Sequence, residues 1–244
     1  MTTHNEDNIH GSNTFLRRFQ DYLSEFVYGS IDGAITTFAV VAGGVGANLD
    51  SSVILIMGFA NLFADGFSMS IGAYLAAKSE QENYNKHKKI EYWEIENLPE
   101  VEKEEVREIY RNKGFEGDLL EQIVTVITAD KDRWVNTMMK DELEMIESKK
   151  SPLSVGFVTL ISFLLLGFVP LLVYVWDFAS KLEVNLVGVA SVLTISSFAI
   201  IGYLRGLVNQ QNKVKSIIET LLMGVVAALV AYFVGDFIEH IVRK

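Results

Sequence analysis

The sequence predicts an all-α, polytopic membrane protein with five transmembrane helices and a three-helix insert. Three observations predict it. Apolar runs at 28–50, 52–77, 153–176, 184–206 and 216–239 each match the length a helix needs to cross about 30 Å of hydrocarbon. Charged residues still make up 21 % of a chain that is 50 % hydrophobic, so the charge is concentrated elsewhere. It gathers in 78–150, which holds 19 Asp and Glu against 13 Lys and Arg. The chain therefore divides into an N-terminal segment (1–27), two spans (28–77), an acidic insert (78–150) and three further spans (151–244).

The N-terminal segment is polar and holds Arg17 and Arg18, with neither an apolar core nor a small-residue cleavage site, so it is not expected to be a secretory signal. Phe15, Leu16, Phe19, Tyr22, Leu23 and Phe26 recur at helical spacing. That pattern fits an amphipathic helix on the membrane surface, and equally a helix docked on the insert.

Polar groups interrupt the first two spans. Span one carries Asp32 within Ser30-Ile31-Asp32-Gly33-Ala34, ahead of Gly43, Gly44 and Gly46. Span two carries Gly58, Asn61, Asp65, Met69 and Gly72 at three- and four-residue steps, which sets them on one helix face. A carboxylate at the centre of a span costs about 2.5–3.5 kcal/mol on insertion scales, so such a group is expected to serve an aqueous path. A carboxylate and a thioether on one cavity suit a borderline-soft divalent cation better than Mg²⁺ or Ca²⁺. Packing readings stand beside these: Asp32 as a solvated N-cap and Met69 as span filler. The glycines of span one lack the strand and the Lys-Ser/Thr of a phosphate loop, and close helix packing explains them better.

The insert reads as helices over about 76–97, 100–113 and 117–148, with Pro99 at a helix start and Gly114 at a stop. The first continues span two directly, which makes the insert an extension of the bundle. Glu91 and Glu94 are spaced i,i+3 on the first helix, and Glu102 and Glu105 repeat that spacing on the second. Met138, Met139 and Glu142 follow on the third. Paired carboxylates on facing helices are how bundles build di-metal sites, although glutamate is also common on solvated helix faces. The insert's one histidine, His87, sits in the basic stretch Lys86–Lys89, and no Glu-x-x-His pair occurs there, which disfavours a di-iron enzyme.

The last three spans read as structural. Pro170 is expected to kink span three, and Gly224, Ala228, Ala231 and Gly235 allow close helix contact along span five. Near the spans, Arg17, Arg18, Lys78, Lys149, Lys150, Arg205, Lys213 and Lys215 fall on one side against Lys181, Arg243 and Lys244 on the other. This places the N-terminus and the insert in the cytoplasm and the C-terminus outside or in a lumen. A chain without cysteine has no disulfide or thiolate site, and a net charge of −10 argues against nucleic acid as a partner.

Asp32-Gly33 with the following Thr-Thr-Phe-Ala-Val-Val-Ala-Gly-Gly, and Ala64-Asp65-Gly66-Phe67-Ser68-Met69 running to Gly72-x-Tyr74-Leu75, resemble the vacuolar iron transporter family, the calcium-cross-complementer type of iron and manganese transporter. The resemblance runs from about Phe26 to Gly235. Glu91, Glu94, Glu102, Glu105, Met138, Met139 and Glu142 match, in order, the glutamate pairs and the Met-Met-x-x-Glu element of members with the insert. The resemblance implies a homodimer with a metal path at the subunit interface, lined by Asp32 and Met69. It further implies export of Fe²⁺, and often Mn²⁺, from the cytoplasm by proton antiport, with the insert capturing the ion. No permanent cofactor is implied; the ions are cargo. The membrane would be a bacterial inner membrane or a vacuolar one. Some members place a glutamate two turns before the span-two methionine. Here Asn61 holds that place and Asp65 stands one turn before Met69, which makes Asp65 the proton-coupling candidate by position.

The leading expectation is a transporter of divalent iron or manganese rather than an enzyme. The alternative is a membrane-anchored metal buffer or sensor. Ionisable and sulfur groups inside two spans disfavour a passive anchor, which needs only apolar residues.

Overall fold

The structure is a computed structural model that describes residues 21–180, 185–209 and 211–242. In chain order its helices are α1 (Leu23–Gly46), α2 (Ser51–Asn97), α3 (Pro99–Asn112), α4 (Gly117–Thr128), α5 (Lys131–Thr137), α6 (Pro152–Gly167), α7 (Leu172–Ser180), α8 (Leu186–Val208) and α9 (Lys213–Val242). A π turn over Met138–Glu142 follows α5, and a 3₁₀ turn over Val169–Leu171 joins α6 to α7. No strand occurs among the described residues. Two compact units result: Leu75–Lys149 forms one, and the segments up to Tyr74 and from Lys150 form the other.

Among the described residues five stretches are long and apolar enough to cross a membrane, and the larger unit holds α1, the part of α2 up to Tyr74, α6 with α7, α8 and α9. Its burial pattern is that of a protein in lipid. Ser30, Thr37, Thr159, Ser162, Thr194 and Thr220 are buried, while Val192, Ile200, Leu222, Val226, Phe233 and Phe237 are exposed. The Thr159, Thr194 and Thr220 hydroxyls each donate to the carbonyl four residues back, so these polar groups are satisfied within their own helix.

Helix α1 lies between α6 and α9, and small residues set the spacing. A methyl group at Gly33 would overlap the Phe163 carbonyl of α6, and one at Gly46 would overlap the Tyr232 carbonyl of α9. Gly235 of α9 closes in the same way on the Gly43 carbonyl. These contacts bear out the packing reading of the span-one glycines and of the small residues on span five. Pro170 does interrupt span three: α6 ends at Gly167, and a 3₁₀ turn precedes α7. Proline lacks the donor that would continue the α ladder.

In the smaller unit, the rest of α2 joins α3, α4, α5 and the π turn. Tyr84, Ile95, Val106, Leu120, Val124, Ile127, Trp134, Val135, Met138 and Met139 form one buried cluster. Helix α3 begins at Pro99 and ends before Gly114, whose φ of +93° is the left-handed stop expected of glycine after a helix. One expectation is corrected. The stretch 117–148 is not one helix: it breaks after Thr128, restarts at Lys131, turns π at Met138–Glu142 and is no longer helical beyond Leu143. Asp130 causes the restart, because its side chain accepts from the Arg133 N–H at 2.7 Å as an N-cap. The predicted amphipathic helix falls mostly outside the described residues, as do Arg17, Arg18, Lys181, Arg243 and Lys244.

Candidate metal centre

Within the smaller unit, α2 presents Glu91 and Glu94, α3 presents Glu102 and Glu105, and the π turn ends on Glu142. Glu91 and Glu102 are 3 % exposed, which is unusual for glutamate. Each keeps a buried Oε2 oxygen without a hydrogen-bond partner. Their charges act on one another: Glu102 is repelled by Glu105, Glu91, Glu94 and Glu142. Desolvation first, and that repulsion second, push the Glu102 carboxyl up to about 8. Desolvation also raises Glu105, with Glu94 and Glu108 adding to it, while Glu102 lies where it can share a proton with Glu105. Glu142 rises for the same two reasons, with Glu105 and Glu94 as the repelling neighbours.

No Lys or Arg pairs with any of these five glutamates among the described residues. Five carboxylates that no Lys or Arg balances among the described residues, two of them with unsatisfied buried oxygens, could hold a divalent cation or retain protons. Oxygen ligands alone suit Mg²⁺ or Ca²⁺; a neighbouring thioether shifts the preference toward softer ions. Met138 and Met139 are 0 % and 1 % exposed and belong to the apolar cluster of this unit. They pack as core residues, on the turn that also carries Glu142.

In the larger unit the residues of the opening hairpin divide. Asp32 lies more than two turns inside α1, whose N-cap is Tyr22, so the capping reading of Asp32 does not hold. It is half-buried, and the Asp65 charge reaches it. The following residues explain the approach: Gly33 closes on the Phe163 backbone and Gly66 on the Phe163 ring, where an added methyl group would stand 3.2 Å from Cδ1. Asn61, one turn before Asp65, has a buried Nδ2 without a partner. Met69 is half-buried against the cluster of Val41, Ile54, Leu62 and Phe163. Gly58 is a packing position, since a methyl group there would come within 2.5 Å of Leu171 Cδ2, whereas Gly72 faces open space.

Two features escaped sequence reasoning. Asp236, Glu239 and His240, near the end of α9, bring ligand atoms within 4.8 Å of one another, which their i,i+3,i+4 spacing could have signalled. Lys113 and Asp141 form an ion pair at 2.6 Å between the end of α3 and the π turn. Neither partner has a sequence signature.

Comparison with known proteins gives one consistent result. The sequence model of the VIT family matches residues 23–236. A vacuolar iron transporter of Toxoplasma gondii is 36 % identical over 91 % of this chain and 76 % of its own length. Vacuolar iron transporter 1 of Eucalyptus grandis is 35 % identical over 90 % and 87 %. A vacuolar iron transporter of Plasmodium falciparum is 32 % identical over 97 % and 88 %.

Proposed function

Because the chain belongs to the VIT family, we propose that it transports divalent iron across a membrane, with manganese as a second cargo. The observation that carries this reading is the gathering of Glu91, Glu94, Glu102, Glu105 and Glu142, with unsatisfied buried oxygens on Glu91 and Glu102 and no balancing Lys or Arg among the described residues. The insert lies in the cytoplasm in this reading, following the bias of basic residues near the spans. Fe²⁺ or Mn²⁺ displaces the protons that the crowded carboxylates retain, and Met138 and Met139 supply the softer ligands that favour these ions over Mg²⁺.

Asp32 and Asp65 then serve the path through the spans, with Met69 and Asn61 beside them. Two ionisable groups kept within apolar helices are costly unless they meet a cation or a proton, and this favours transport over a passive anchor. Movement is export from the cytoplasm or sequestration into an organelle, by proton antiport, through a path completed by a second subunit of a homodimer. Asp65 is the proton-coupling candidate. The membrane is a bacterial inner membrane or a vacuolar one, and the protein is a carrier, not an enzyme.

The test is flux in proteoliposomes holding a metal dye and a pH dye. Fe²⁺ entry accompanied by counterflow of protons, and lost in Asp32→Ala, is the expected result. Protein that binds Fe²⁺ yet never moves it would make the chain a buffer and end this proposal.

A further inference from the structure

The Lys113–Asp141 ion pair joins the two elements that carry Glu102, Glu105 and Glu142. Lys113 is the C-cap residue of α3, the helix bearing Glu102 and Glu105. Asp141 sits inside the π turn, directly before Glu142 and two and three residues after Met139 and Met138. Their Nζ–Oδ2 distance is 2.6 Å, and the Asp141 side chain is 20 % exposed. The lysine is also held from its own helix, with Nζ 4.6 Å from the centre of the Tyr110 ring. Tyr110 in turn contacts the Phe115 ring across the Gly114 turn. Lys113 is therefore fixed from two sides.

A π turn is a strained local arrangement, rare outside functional sites, and it needs a reason to persist. The backbone here accommodates it: Leu143 N donates to the Met138 carbonyl at 3.1 Å and Met145 N to the Met139 carbonyl at 2.8 Å, with Glu144 at a φ of +53°. Relaxation to an ordinary α turn would rotate Glu142 about the helix axis by one residue's step, about 100° at 3.6 residues per turn. That rotation moves its carboxylate relative to Glu94 and Glu105, the two charges that act on it. An exposed ion pair contributes little to stability. One that ties a strained turn to a neighbouring helix determines geometry instead.

We propose that Lys113 and Asp141 are positioning residues for the metal centre: their ion pair holds the π turn in the register that keeps Glu142 facing the glutamates of α2 and α3. Lys113 also engages the carboxylate adjacent to the cluster, while no Lys or Arg among the described residues pairs with the five cluster glutamates. This inference rests on the metal-loading role given to the insert, and the experiment separates the two.

Mn²⁺ binding is measured by titration on the full-length protein in detergent, with the Mn²⁺ electron paramagnetic resonance linewidth and the thermal midpoint recorded on the same samples. Asp141→Asn, which preserves shape, and Lys113→Met are expected to weaken binding at least tenfold and to alter the linewidth. Lys113→Arg is expected to stay within threefold of wild type, and the exchanged pair K113D with D141K to recover most of the loss. Glu102→Gln with Glu105→Gln serves as the reference for the site itself. If that reference binds Mn²⁺ as wild type does, the loading role fails. If the reference loses binding but Asp141→Asn and Lys113→Met keep wild-type affinity and linewidth, the positioning role alone is overturned, even where the thermal midpoint falls. Should Lys113→Met not fold, Asp141→Asn and the exchanged pair decide the same question.

Discussion

Asp32 of α1 and Asp65 of α2 lie close enough for one charge to act on the other, each directly before a glycine that closes on Phe163 of α6. Phe163 is fully buried, so the three helices meet at a fixed point, and each aspartate stands one residue before a contact with it. Like charges in such a place repel unless a proton or a cation lies between them. Replacing Asp65 with Asn keeps the shape and removes one charge. Fe²⁺ flux into proteoliposomes is expected to fall at least tenfold in Asp65→Asn. Unchanged flux, with unchanged proton counterflow, would remove Asp65 from the path.

Met138 and Met139 allow packing to be separated from ligation. Both are buried among apolar neighbours, so truncation to Ala would cost about 2–5 kcal/mol through the cavity it leaves. Leucine nearly conserves volume, and such exchanges usually cost less than about 1.5 kcal/mol. The Met138→Leu, Met139→Leu double variant is expected to hold its thermal midpoint within a few degrees. Its preference for Fe²⁺ over Mg²⁺, read from competition titrations, should drop severalfold. A preserved preference would leave both residues as core alone.

The crowded glutamates make the metal-free insert sensitive to pH. Glu102 rises from its ordinary 4.5 to about 8, and Glu105 and Glu142 move in the same direction. An acid whose folded value lies above its unfolded value holds an extra proton in the folded state between the two. Its contribution to stability is thus lost as pH rises from about 4.5 to about 8. Metal binding releases those protons, so affinity should rise across the same window. Thermal melts of metal-free and Mn²⁺-loaded protein at pH 5, 6.5 and 8 check both signs: the metal-free midpoint declines and the metal-induced increase grows. A metal-induced increase that is constant with pH would contradict the linkage.

Gly33 tests the packing that places Asp32. A methyl group there would overlap the Phe163 carbonyl, which belongs to backbone and cannot step aside. Overpacking of this kind costs about 1–3 kcal/mol. Gly33→Ala is expected to lower the thermal midpoint in detergent and to reduce flux. Gly72→Ala, at a position facing open space, is expected to do neither.

The five apolar stretches were legible because length and hydropathy are local properties, and Pro99, Gly114 and Pro170 punctuate the chain where expected. The third insert helix was not. Leu120, Val124, Ile127, Trp134 and Met138 keep an apolar stripe in phase across the break at Asp130, which hides the capping aspartate inside an apparently continuous period. Glutamate spacing shows which residues share a helix face, but not that Glu91 and Glu102 are buried, since burial depends on neighbours distant in sequence. The seam of span two is less uniform than its spacing suggests. Gly58 packs, Gly72 is open, and only the tertiary contact with Phe163 explains why Asp65 approaches Asp32.

Helix α1 is gripped at opposite ends by different neighbours, with Gly33 against the main chain of α6 and Gly43 and Gly46 against that of α9. Main-chain atoms cannot swing aside as side-chain tips do, so a rod seated in this manner has no lateral slack. In the transport proposed above, exposure of Asp32 to one bilayer face and then the other would come from parts that slide past this helix, which would serve as a stationary post.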